Sequence, residues 1–267
     1  MDKREYEEQW PGLPINYLIV ASDDYIVFLD HENDIDWKTS DEFDARELTS
    51  EDKNKYFAVK NEIDSAETIA INHIDDKVVI AFKRQLGEAL VRVFEGEYEN
   101  ASNMVKLAQD YILKRNIEQS RYMFLMSCGS TTLIAILVSV LFWLFRGSII
   151  SIIGNTVFYV ALASLCGSIG ALLSVILRTG KTTLDYNASK KLHIIEGVSR
   201  IIAGIISGLI VAVSIKTGII LPIFTKIEST NIAMLLGGLV AGASERFAPS
   251  IISKLDGVNN SKSNKKQ

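Results

Sequence analysis

The sequence predicts a mainly α membrane protein: a four-helix transmembrane bundle carrying a small α+β cytoplasmic N-terminal domain and a helical stalk. Three observations lead there. Charge almost disappears between Phe124 and Ala243, surviving only in small clusters between apolar runs. Two β-rich runs flank Ser22-Asp23-Asp24 near the start of the chain. Lysine and arginine crowd some connecting segments and avoid others. Of the 267 residues 48% are hydrophobic, with mean hydropathy +0.19, and the apolar ones are too unevenly spread for a soluble domain. A net charge of −4 and a pI near 5.5 give no excess basic charge, so nucleic acid is not an expected partner.

The segment MDKREYEEQW is charged throughout, and the first apolar run, Leu13–Val20, is short, so no signal peptide is expected. Ile15–Ala21 and Tyr25–Leu29 predict a small hairpin. Asp30–Asp44 is acidic and reads as loop. Thr49 or Ser50, ahead of Glu51 and Asp52, predicts a cap for a helix through about Ala66, and Asp75-Asp76 a cap for one from Lys77 to about Phe94. Glu95-Gly96-Glu97 breaks the pattern, and a further helix runs from Tyr98 towards Tyr122 with Ala101, Met104, Val105, Ala108, Tyr111 and Ile112 on one stripe. The expected organisation is a small α+β domain over residues 1–75 and a helical hairpin and stalk over 76–122. The transmembrane domain follows over 123–252, and a polar cytoplasmic tail over 253–267.

Four spans are expected, at about 124–145, 149–177, 194–222 and 229–250, the second with an interfacial turn near Gly154-Asn155. The fourth apolar run is short, and a re-entrant segment is the alternative. Basic residues gather before the first span, between the second and third, and after the fourth. The positive-inside rule then puts both termini in the cytoplasm of a multi-pass inner-membrane protein, and parity agrees.

Chemistry is scarce. Gly180-Lys181-Thr182 lacks the glycine five residues earlier that a phosphate loop needs, Val175 standing there instead. His31, His73 and His193 share no ligand spacing with one another or with Cys128 and Cys166. No catalytic residue, metal or cofactor is expected, and the chain does not read as an enzyme.

Packing signals are plentiful. Ala163, Gly167 and Ala171 form a small-residue ridge beside Gly170 in the second span; Gly204, Gly208 and Ala212 form one in the third, and Gly238 and Gly242 in the fourth. In lipid such ridges drive helix association, within a chain or between copies. Antiparallel packing of the third and fourth spans predicts Gly204 level with Gly242 and Gly208 level with Gly238, glycine facing glycine. The same register gathers Glu196, Arg200, Glu245 and Arg246 into a charge cluster at the membrane boundary. That cluster reads either as a topology-fixing ion-pair network or as a gate.

Phe94-Glu-Gly-Glu-Tyr98-Glu-Asn-Ala101 resembles the turn inside a tetratricopeptide repeat, although no second copy follows, and an ordinary helical hairpin is the simpler reading. The stretch Gly237–Pro249, with its G-x-x-x-A-G-x-S-E-R-F-x-P pattern, and Asn116–Tyr122 resemble a group of uncharacterised bacterial multi-span membrane proteins. The chain is also similar in plan to the membrane effectors of antiviral defence systems. That resemblance implies a membrane effector or channel-like protein whose cytoplasmic domain gates the bundle and permeabilises the membrane. The alternative is a non-conducting anchor or scaffold that recruits a cytoplasmic partner. The expected partners are the lipid bilayer, further copies of the chain, and a protein or small-molecule trigger acting at residues 1–122.

Overall fold

A computed structural model describes residues 3–71, 74–179, 189–218 and 229–244. The chain divides into two compact units, Met1–Gln119 and Ser120–Gln267.

The first unit is built around an antiparallel sheet of β1 (Tyr17–Ala21), β2 (Tyr25–Leu29) and β3 (Ile35–Thr39), in that order. The hairpin at Ser22-Asp23-Asp24 forms as expected. The Ser22 hydroxyl accepts from Tyr25 N at 3.1 Å and so closes the turn. The loop expected over Asp30–Asp44 is corrected: it contains β3 and a short helix α2 (Asp41–Asp44). In β3 the apolar Ile35 and Trp37 alternate with Asp36 and Lys38, so charge on one face masks an ordinary half-buried strand. The register sets Leu29 opposite Ile35, Val27 opposite Trp37 and Tyr25 opposite Thr39.

Every residue of β2 is buried, because both faces of the sheet are covered. Tyr25, Val27 and Leu29 enter the main core with residues of α3 (Ser50–Glu67), α4 (Asp76–Phe94) and α5 (Tyr98–Leu144). Ile26 and Phe28 point the other way and meet Tyr6 and Trp10. These two aromatics, four residues apart, belong to α1 (Lys3–Gln9) and its end, a helix that the charged segment conceals. Trp10 donates its indole N–H to Ser22 O at 3.2 Å.

The helix boundaries follow local chemistry. Thr49 caps α3 by accepting from Asp52 N at 3.1 Å, and Asp75 caps α4 by accepting from Lys77 N at 2.8 Å. Helix α4 ends where Gly96 adopts φ +79°, Gly96 N donating to Val93 O and Glu97 N to Arg92 O. Gly87 gives α4 its close seat on the sheet, since a Cβ there would overlap the end of Ile19. The expected stripe on α5 is buried at Ala101, Val105, Ala108 and Ile112, and Met104 and Tyr111 pack at its edge. Residues from both expected soluble segments therefore share one core.

Two buried side chains, Lys83 and Tyr25, make polar contacts at this core. Lys83, only 5% exposed in its side chain, sits 2.8 Å from a Glu67 oxygen and 3.1 Å from an Asp34 oxygen. The Tyr25 hydroxyl donates to Glu95 Oε1 at 3.2 Å, and burial together with the Glu95 charge pushes its pKa up to about 12.

The second unit contains the apolar part of α5, α6 (Arg146–Ile153), α7 (Asn155–Arg178), α8 (Lys190–Lys216) and α9 (Thr230–Ala243). Gly154, with φ +82°, separates α6 from α7 at the place where a turn is expected. Three of these helices, α5, α7 and α8, are long and apolar enough to cross a membrane. The described part of α9 has 14 residues, a rise of about 21 Å against the ~30 Å of a bilayer core. The expected four spans are therefore three full-length helices and one shorter apolar helix among the described residues. The expected tail over 253–267, and Gly180-Lys181-Thr182 with His73, lie outside them.

Two outcomes test the core. Glu67→Gln deprives a buried ammonium of its closer partner and should cost about 1–3 kcal/mol in denaturation of the full chain. Lys83→Met should cost less, because the carboxylates it leaves are 26% and 65% exposed and reach water. Tyr25 supplies the second. A folded pKa raised above the unfolded 10 gives stability that is complete below pH 10 and lost as pH climbs towards 12. Across that window wild type should lose more thermal stability than Tyr25→Phe.

Candidate functional site at the helix junction of the membrane unit

The small residues singled out in the sequence converge on one helix. A Cβ added to Gly204 would lie 2.8 Å from Gly167 O, and one added to Gly242 would overlap the same oxygen. A level away, a Cβ on Gly208 would lie 3.0 Å from Ala163 O and 3.1 Å from Ser164 O, and one on Gly238 would overlap Ala163 O. Gly204 and Gly242 thus share one carbonyl, and Gly208 and Gly238 share the carbonyl one turn earlier. The sequence reading has glycine facing only glycine; the structure adds backbone oxygens of α7 at both levels. Since a glycine hydrogen takes the place of each Cβ, the four glycines aim Cα–H groups at those oxygens. Such contacts are worth perhaps ~0.5–1 kcal/mol each and reward close approach.

The rest of the ridge completes the junction. Gly167 abuts the backbone of Gly204 and Gly208, Gly170 abuts Leu239 O and Ala243 N, and Ala171 sets its methyl against Gly204. Ala163 and Ala212 are buried with Met234. Gly237, which the spacing argument passes over, receives Val211 and Ile215 of α8. Serines add hydrogen bonds between helices: Ser164 Oγ donates to Ile205 O at 2.9 Å, and Ser127 Oγ to Ile194 O at 2.8 Å. Ser127 and Cys128 of α5 meet α8 at Gly197, the Cys128 thiol lying 3.6 Å from Gly197 O. Period-four counting misses Gly197 and the serines, because their use depends on which carbonyl stands opposite.

The boundary charges are only partly described. Glu196 is half exposed, with Oε2 3.7 Å from His193 Nδ1. Arg200 lies on the same helix, one turn further on. Glu245 and Arg246, and with them the expected four-member cluster, lie outside the described residues. His193 is itself buried to 2% exposure, and neither ring nitrogen makes a hydrogen bond. No group of three or more metal-ligating side chains occurs among the described residues. The arrangement holds α7, α8 and α9 at backbone distance.

Thermal denaturation in detergent should separate these glycines from an idle one. Gly167→Ala and Gly242→Ala force a methyl against backbone and should each cost about 1–3 kcal/mol. Gly129, which has open space where its Cβ would be, should gain about 0.5–1 kcal/mol on substitution by alanine, from helix propensity. No protein-family model, curated protein or solved structure matches the chain.

Proposed function

We propose that this chain is a membrane effector, channel-like in its mode of action, whose cytoplasmic N-terminal domain gates an inner-membrane helical bundle. The full reading has four spans with both termini cytoplasmic, and a role in antiviral defence through membrane permeabilisation. The observation that carries it is α5, one helix of 47 residues. Its first turns are buried in the core of the soluble unit at Ala101, Val105, Ala108 and Ile112. Its later turns supply an apolar window suited to a membrane. A rearrangement of the soluble core acts on α5 directly, and α5 is bonded to α8 through Ser127 and Ile194. Gating then means loosening the α5–α8 contact.

The close fit of α7, α8 and α9 favours a second reading, a non-conducting anchor. A membrane-potential dye in cells expressing the protein distinguishes them: an effector depolarises cells on triggering, and an anchor leaves the potential unchanged. Within the effector reading, Met123→Pro interrupts α5 at a local cost of about 3 kcal/mol. It should abolish depolarisation while the protein still inserts at wild-type levels. Undiminished depolarisation by an inserted Met123→Pro protein would remove the mechanical link.

A further inference from the structure

A cavity of about 350 Å³ opens in the soluble unit beside the turn from α4 to α5. That volume is at the small end of the range for small-molecule sites. Phe43, Tyr56, Phe94 and Tyr98 give it aromatic walls, and Asp44 and Glu95 give it carboxylates. Phe43 and Phe94 pack edge to face at 5.5 Å, and Phe94 sits 5.1 Å from Tyr25, so this side of the wall is braced by the core. The Tyr25 hydroxyl steadies Glu95 from behind. Among the described residues, no lysine or arginine lies within ion-pair distance of Asp44 or Glu95.

Arg46 is itself one of the lining residues. Arg46 lays its guanidinium 4.9 Å from the centre of the Phe43 ring and pairs with Asp24 at 2.7 Å. A flat, weakly hydrated cation therefore rests on one wall, whereas no cation stacks on Tyr56, Phe94 or Tyr98 among the described residues. The long-range field points the same way. Residues 1–119 hold 27 acidic and 14 basic side chains, a formal charge of −13. Such a domain attracts cations and repels nucleotides and other phosphates. Aromatic faces with nearby carboxylates favour alkylated ammonium over hard, strongly hydrated ions.

We propose that this cavity binds a small quaternary ammonium compound, held on the faces of Tyr56, Phe94 and Tyr98 and neutralised by Glu95 and Asp44. The proposal deepens the gating function by naming the class of trigger, and it rests on that reading only for the consequence of binding. Its position suits the role, since Tyr98 is the first residue of α5.

The test is calorimetry on the full chain in lipid nanodiscs, with choline as probe and 3,3-dimethylbutan-1-ol, its uncharged isostere, as control. Choline should bind at least tenfold more tightly than the isostere. Glu95→Gln and Tyr98→Leu should each weaken choline at least fivefold, with Tyr56→Leu as the substitute if Tyr98→Leu melts below the wild type. Equal affinity for choline and its isostere, unchanged affinity in the folded variants, or displacement of choline by a nucleoside monophosphate would overturn the proposal. Binding without any change in membrane potential would leave the site standing and remove the gate.

Discussion

The membrane unit depends on backbone meeting backbone at Gly167. Lipid is as apolar as leucine, so burying side chains gives these helices no net drive to associate. What remains is van der Waals contact, weak polar contact and the few hydrogen bonds that serines supply. All improve as helix axes approach, and only glycine, alanine and serine permit the approach. Gly204 and Gly242 reach one carbonyl and Gly208 and Gly238 the next. Their large apolar neighbours, such as Ile202, Ile206, Leu236 and Val240, stay exposed on the helix surfaces.

The N-terminal unit is organised differently. It uses β2 as a layer buried on both sides, between Tyr6 and Trp10 on one face and the α3–α4–α5 core on the other. Charge follows the same division. Residues 1–119 carry −13, whereas residues 120–267 hold 14 basic and 5 acidic side chains, or +9. Most basic residues of the second part lie before, between or after the apolar runs.

Much of this was legible where the signal is local. Thr49, Asp75 and Gly96 mark helix ends by their own chemistry, and the hairpin at Ser22-Asp23-Asp24 announces itself by flanking β-branched and aromatic residues. The apolar windows of α5, α7 and α8 needed only length and hydropathy. What the sequence hid was non-local. Strand β3 looks like an acidic loop until its pairing with β2 shows that Asp36 and Lys38 share one face. Helix α1 is highly charged, and only the docking of Tyr6 and Trp10 against Ile26 and Phe28 explains it. The glycines could be read as ridges, but the carbonyl oxygens they receive carry no sequence signature. Gly237 and Gly197 escaped for that reason, as did the aromatic cavity, whose walls come from residues scattered between Phe43 and Tyr98.

Within one chain, α9 is seated on α7 and α8. A Cβ on Gly237 would lie 3.0 Å from a γ carbon of Val211, so cysteines at these two positions are within disulfide reach. The direct measurement is oxidative trapping of Val211→Cys with Gly237→Cys, in membranes, in a background where Cys128 and Cys166 are replaced by alanine. The account predicts a rapid intramolecular disulfide, visible as a monomer of altered mobility in non-reducing gels. A covalent dimer as the main product, or two thiols that stay free, would contradict it.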